Sequence, residues 1–243
     1  EFTDTKFQNK TGAAILLNAR SGEILVMSSH PTFDPSQLNE IGSELNQDPG
    51  KPLINRATQG LYPLASLIDP FARMILRRQA ITEGELQTVY ETFGLDRTPI
   101  IQLPVAEPFS SSATEQFHVS PLQVALASAA LSDHGTIPAP QIATAVNTPN
   151  DGWVVLSAEG TPIEAVQPSV ADEAADSLVK SGEVFWSHSA RAVEGETPVT
   201  WFIAGTPPDW TGTPMVVVVL LEENNPLLAR LIGEELLTRA MNP

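Results

Sequence analysis

Two stretches near the C-terminus, Val199-Thr-Trp-Phe-Ile-Ala204 and Met215-Val-Val-Val-Val-Leu-Leu221, decide the architecture. The second is apolar at every position, the pattern of a strand covered on both faces. The Pro- and Gly-rich run from Gly205 to Pro214 joins the two as a hairpin. The other end of the chain supplies a matching pair. Gly12-Ala-Ala-Ile-Leu-Leu-Asn18 and Glu23-Ile-Leu-Val-Met27 bracket Asn18-Ala-Arg-Ser-Gly22, a hairpin loop that closes on a glycine.

Helices and proline-rich loops fill the middle. Ser120-Pro121-Leu122-Gln123 is a capping box with proline at the first helical position, and Gly135 ends the helix it opens. A second amphipathic helix is predicted from Ser169 to Lys180, with Val170, Ala174 and Leu178 at four-residue spacing and Gly182 as its stop. Leu227, Leu228, Leu231, Ile232 and Leu237 give a C-terminal helix one apolar face. Pro31 to Pro52 is expected to be a long loop. Strands at both ends with helices between them predict an α+β fold, an antiparallel sheet built from the N- and C-terminal strands with helices packed on it.

Composition narrows the function. The 243 residues carry 29 acidic and 13 basic side chains, a net charge of −16, with 42% hydrophobic residues to form a core. Four lysines and a pI near 4.5 leave no basic stripe for phosphates, which argues against nucleic acid as a partner. The longest apolar run is far short of the roughly 20 residues of a membrane helix. With no cysteine, disulfides, thiolate zinc sites and cysteine nucleophiles are excluded. The start at Glu1-Phe2, without methionine or a leader pattern, is read as that of an excised segment whose anchor lies outside it. Residues 1–11 are expected to be a tail or cloning remnant and 12–243 one domain.

Several segments carry a resemblance in the same order along the chain. The N-terminal hairpin is followed by His30-Pro31-Thr32-Phe33-Asp34-Pro35, Leu53-Ile-Asn-Arg-Ala57 and Gln59-Gly60-Leu61-Tyr62-Pro63. Then come Phe93-Gly94-Leu95 with Ile101-Gln-Leu-Pro104, Val119-Ser-Pro-Leu-Gln-Val-Ala125, and Trp201-Phe-Ile-Ala-Gly205 with Val216 to Asn225. Together these resemble the transpeptidase domain of penicillin-binding proteins, especially the class B type, over nearly the whole chain. The resemblance implies an extracytoplasmic domain of peptidoglycan synthesis, with no cofactor or metal, that acylates a serine with a stem peptide or a β-lactam. It also implies three motifs, Ser-x-x-Lys, Ser-x-Asn and Lys-Thr/Ser-Gly, because a serine hydroxyl needs a base and the substrate carboxylate needs a cation.

Each motif departs from that pattern. The frame Pro63-Leu-Ala-Ser66-Leu-Ile-Asp69-Pro-Phe71 keeps the serine but has Asp69 where the lysine belongs. Ser66-x-x-Asp69 also has the form of a helix capping box, so a structural and a nucleophilic Ser66 both stay open. No Ser-x-Asn occurs, Ser110-Ser-Ser112 is a weak substitute, and the short stretch from Asp69 to Phe93 implies a reduced helical subdomain. Over the third motif lies Ser187-His188-Ser189-Ala190, with histidine for lysine; Ser189 and Arg191 are the accompanying candidate substrate contacts. A second register puts Lys180-Ser-Gly182 on the motif strand. Lys180 in the last turn of a helix, however, needs no catalytic reason. His30, His118, His134 and His188 are too far apart in sequence for a metal pattern.

Two functions compete. One is a catalytically inactive transpeptidase-like module acting as a scaffold or interaction domain, whose partner is a stem peptide or another envelope protein. The other is an active serine acyl-transferase or hydrolase in which Ser66 works with His188 and Asp69, or with Lys180.

Overall fold

The computed structural model describes residues 2–76, 83–111 and 116–242. In chain order its helices and strands run α1 (Phe2–Lys6), β1 (Gly12–Asn18), β2 (Ile24–His30), α2 (Leu38–Gln47), β3 (Tyr62–Pro63), α3 (Asp69–Leu76) and α4 (Glu83–Thr92). They continue with β4 (Phe109–Ser111), β5 (Gln116–Val119), α5 (Pro121–Ser132), β6 (Thr136–Ile137), β7 (Ala145–Thr148), β8 (Gly152–Val155) and β9 (Ile163–Glu164). The last are α6 (Pro168–Leu178), β10 (Trp186–Glu194), β11 (Thr197–Gly205), β12 (Met215–Leu221) and α7 (Pro226–Met241).

The chain ends meet in one antiparallel sheet of order β10-β11-β12-β1-β2, as the terminal strands predict. β12 is its centre. Every residue from Met215 to Leu221 is buried, because alternate side chains enter two different cores. Val216, Val218 and Leu220 face a layer containing α3, α5 and α6, while Val217, Val219 and Leu221 face α7. The result is a sheet covered on both sides. Gly233 lets α7 approach closely: a Cβ at that position would lie 2.4 Å from the Phe202 ring.

α5 forms as its capping box requires. Ser120 accepts from the Gln123 amide, the Gln123 side chain returns to the Ser120 N–H, and Pro121 opens the first turn. All its residues are buried, so this helix is the floor on which the first core rests. Gly22, at φ +77°, closes the first hairpin as expected.

Three expectations are corrected. The segment from Pro31 to Pro52 contains α2, a helix without a buried residue. The chain before Gly12 packs on the domain: Phe7 is buried in the second core and stacks on His30 at 4.5 Å, and Lys6 and Lys10 pair with Glu235 and Glu223. α6 ends at Leu178, not at Lys180, because Val179 turns extended and bridges Trp186.

Candidate active site

The segment carrying Ser66 is fixed from three directions. The Trp201 indole N–H donates to the Pro63 carbonyl at 2.9 Å, and the Leu64 amide donates to the Phe117 carbonyl at 3.0 Å. The Tyr62 hydroxyl donates to Glu222 at 2.7 Å, and Arg56, almost fully buried, reaches the same carboxylate at 2.8 Å. Arg56 spends its other donors on the Gly50 and Lys51 carbonyls. Burial and the adjacent Glu222 charge push the Tyr62 hydroxyl well above the ordinary tyrosine range, so it stays a donor. This network is structural, and it anchors the residues just before the serine. Pattern reading missed it because Glu222 lies 160 and 166 positions from Tyr62 and Arg56.

After Leu64 the backbone turns through Ala65 at φ +45° into a 3-10 turn, Ala65–Ile68. A left-handed alanine is strained. Ser66 lies inside this turn and is exposed; the turn's N-cap is Leu64, which makes no side-chain cap bond. The capping box expected at Ser66 and Asp69 therefore does not form. Asp69 begins α3 and is half-buried, and its amide donates to the Ser66 carbonyl.

β10, the sheet edge next to this turn, brings His188 alongside. Its Nε2 lies 3.0 Å from the Ser66 carbonyl oxygen. A carbonyl has no proton to give, so Nε2 is the donor and carries the hydrogen. Burial lowers the His188 pKa; the Ser66 carbonyl and Asp69 act in the raising direction, while Arg73 and Lys180 add to the lowering. The imidazole is neutral at pH 7. Ser66, Asp69 and His188 are thus neighbours, but the histidine nitrogen facing the serine is occupied by its backbone.

The other candidates fall elsewhere. The pleat of β10 puts His188, Ala190 and Ala192 on the core face and the exposed Ser189 and Arg191 on the opposite face. Lys180 precedes β10 and donates to the buried Ser187 hydroxyl at 3.0 Å, so the strand carries His188 and not Lys180. Ser110 and Ser111 belong to β4, while Ser112 lies outside the described residues. Trp186 donates to Ser132, which in turn donates to the Thr206 carbonyl, tying the start of β10 to α5. Among the described residues no group of acids and histidines is arranged to hold a metal.

A helix-covered antiparallel sheet of this kind superposes on a group of solved structures. The D,D-transpeptidase domain of an Eggerthella lenta peptidoglycan glycosyltransferase superposes with a TM-score of 0.81 at 16% identity, covering 99% of this chain and 80% of its own. An imipenem acyl-enzyme of penicillin-binding protein A from Mycobacterium tuberculosis gives 0.82 at 19% identity, covering 99% and 77%. Residues 12–85 match the family model described as the penicillin binding protein transpeptidase domain. The chain has the penicillin-binding protein transpeptidase fold. Peptidoglycan D,D-transpeptidase MrdA of Escherichia coli K12 is 34% identical over 76 residues, 29% of this chain and 12% of the relative. MrdA of Haemophilus influenzae is 40% identical over 65 residues, 25% of this chain and 10% of its own length. The match to curated relatives therefore spans about an eighth of their length or less. The span of the family model, residues 12–85, includes Ser66 and Asp69.

Proposed function

We propose that this transpeptidase-type domain belongs to a cell-envelope protein of peptidoglycan synthesis, has lost acyl transfer, and acts as a scaffold or interaction module. The proposal includes an extracytoplasmic location for residues 12–243, with the anchor in another part of the parent protein, and an envelope protein or a stem peptide as partner. The observation that carries it is the His188 contact: the nitrogen turned toward Ser66 is a donor to the serine's own carbonyl, in a neutral ring. Acylation needs a base for the serine proton and a cation for the substrate carboxylate. Asp69 stands where the motif lysine would be, and a neutral His188 where the second cation would be. Each loss alone costs orders of magnitude in rate.

A fluorescent penicillin tests this directly. The expected outcome is no stable covalent label on the purified protein. A label that disappears in Ser66→Ala would overturn it. If Lys180→Ala removes the label as well, Lys180 supplies the cation.

The alternative, a hydrolase using Ser66, His188 and Asp69, draws on the closeness of those three groups. It requires the ring to give up the carbonyl for the hydroxyl. Turnover of an activated ester that is lost in both Ser66→Ala and His188→Ala would establish it.

A further inference from the structure

The strands β7 and β8 pair only with each other, Val146 opposite Val154 and Asn147 opposite Trp153. Both faces of this hairpin are open: Trp153 is 73% and Val155 80% exposed, and Val146 and Val154 are exposed on the opposite side. An isolated two-stranded hairpin is marginal in water, and large apolar groups left on both faces mark a surface that is covered in use. A hollow of about 730 Å³ is walled by Phe93, Leu126, Ile137 and Ile163 and rimmed by Ile100 at 61% exposure. Ile100, Pro140 and Ala158 also line the adjoining hollow that leads toward Ile142, just before the hairpin. The two hollows share part of their lining, the chain runs from Ile142 into the hairpin, and none of these residues belongs to the Ser66–His188 site.

Acids outnumber cations around this surface. From Thr98 to Val179 the sequence contains no lysine or arginine, and Asp151, Glu159 and Glu164 are exposed along the hairpin, the hollow and β9. Arg97, the cation in the wall of the hollow, pairs with Asp96 at 3.5 Å and donates to the Glu91 carbonyl. An occupant that fits must bring large apolar side chains for the hollow and cations for the acidic border.

We propose that this surface docks a basic segment of a partner protein, with a large aliphatic or aromatic side chain anchored in the hollow and the hairpin closing over it. The proposal gives the scaffold reading its contact surface and rests on that reading only for its biological setting. Penicillin labelling would overturn the loss of acyl transfer and leave this surface untouched.

The probes are three labelled peptides of one length, made of leucine and lysine, leucine and glutamate, or serine and lysine, titrated with the whole domain by fluorescence anisotropy. The leucine-lysine peptide is expected to bind at least about tenfold more tightly than either control, since anchor and charge are both needed. Ile100→Asp and Val155→Asp are each expected to weaken it at least about fivefold, with an unchanged urea midpoint because both side chains are exposed. Equal binding of all three peptides, or no effect of either substitution, overturns the proposal. So do two other outcomes: a concentration-dependent dimer abolished by Val155→Asp, which makes a second copy the occupant, and binding of the domain to neutral phospholipid vesicles.

Discussion

At the scale of single residues, His188 is the position where charge has changed most in meaning. A lysine at that point of the edge strand would be a permanent cation; a histidine packed behind the Ser66 turn is a neutral donor. His30 behaves alike, with burial lowering its pKa more than Asp4 raises it. For both, the folded chain binds protons less readily than the unfolded chain. Stability is therefore complete above the unfolded value of about 6.5 and is lost as pH falls through it toward the lower folded values. Urea midpoints should drop as pH falls below about 6.5, and a His30→Asn, His188→Gln double variant should flatten that slope. An unaltered slope would show that neither histidine is buried neutral.

Residue types were legible in the sequence, but orientation was not. The alignment of motif strings placed Ser66, Asp69 and His188 on the segments that meet. It did not show that the ring would face a carbonyl instead of a hydroxyl, because that depends on how β10 approaches the turn. The expected capping box at Ser66 failed for a related reason: the left-handed Ala65 starts a 3-10 turn two residues early and takes Ser66 inside it. Ser189 and Arg191 were joined to His188 by sequence adjacency, while the period of two in a strand sets them on the other face.

At the scale of elements, the cost of an error depends on what a side chain holds together. Glu222, at the end of β12, is shared by Arg56 and Tyr62, two groups with little access to water. Glu222→Ala should leave a buried guanidinium and a buried phenol without their partner and cost about 3–5 kcal/mol, read from urea unfolding. At the crossing of α7 and β11, Gly233→Ala forces a methyl into the Phe202 ring, and about 1–3 kcal/mol is expected. A null effect at either site would mean that the backbone shifts to make room. Elements with a strong tertiary role were the legible ones. The terminal strands and α5 announce themselves by unbroken burial and a complete cap, whereas α2 has only Leu38, Ile41 and Leu45 along its face and buries nothing. β7 and β8 were missed because their apolar residues alternate with nothing to face, and a pattern is read by its core.

At the scale of the whole molecule, the fold is the transpeptidase one, while the proposed loss of acyl transfer rests on two positions, Asp69 and His188, that hold an acid and a neutral ring. The absence of covalent labelling by penicillin is the whole-molecule expectation, and it should hold in a domain that unfolds as one cooperative unit by urea.

The pairing of β1 with β12 places Gly12 opposite Leu221. During synthesis the first hairpin is made early, yet the strand that covers its open edge follows about 200 residues later, after roughly ten to forty seconds at typical elongation rates. Until then the apolar edge from Ala13 to Leu17 has no partner, and the loop that must close is almost the entire chain. This domain is therefore unable to complete its sheet vectorially, and its vulnerable period is the interval before β12 is made.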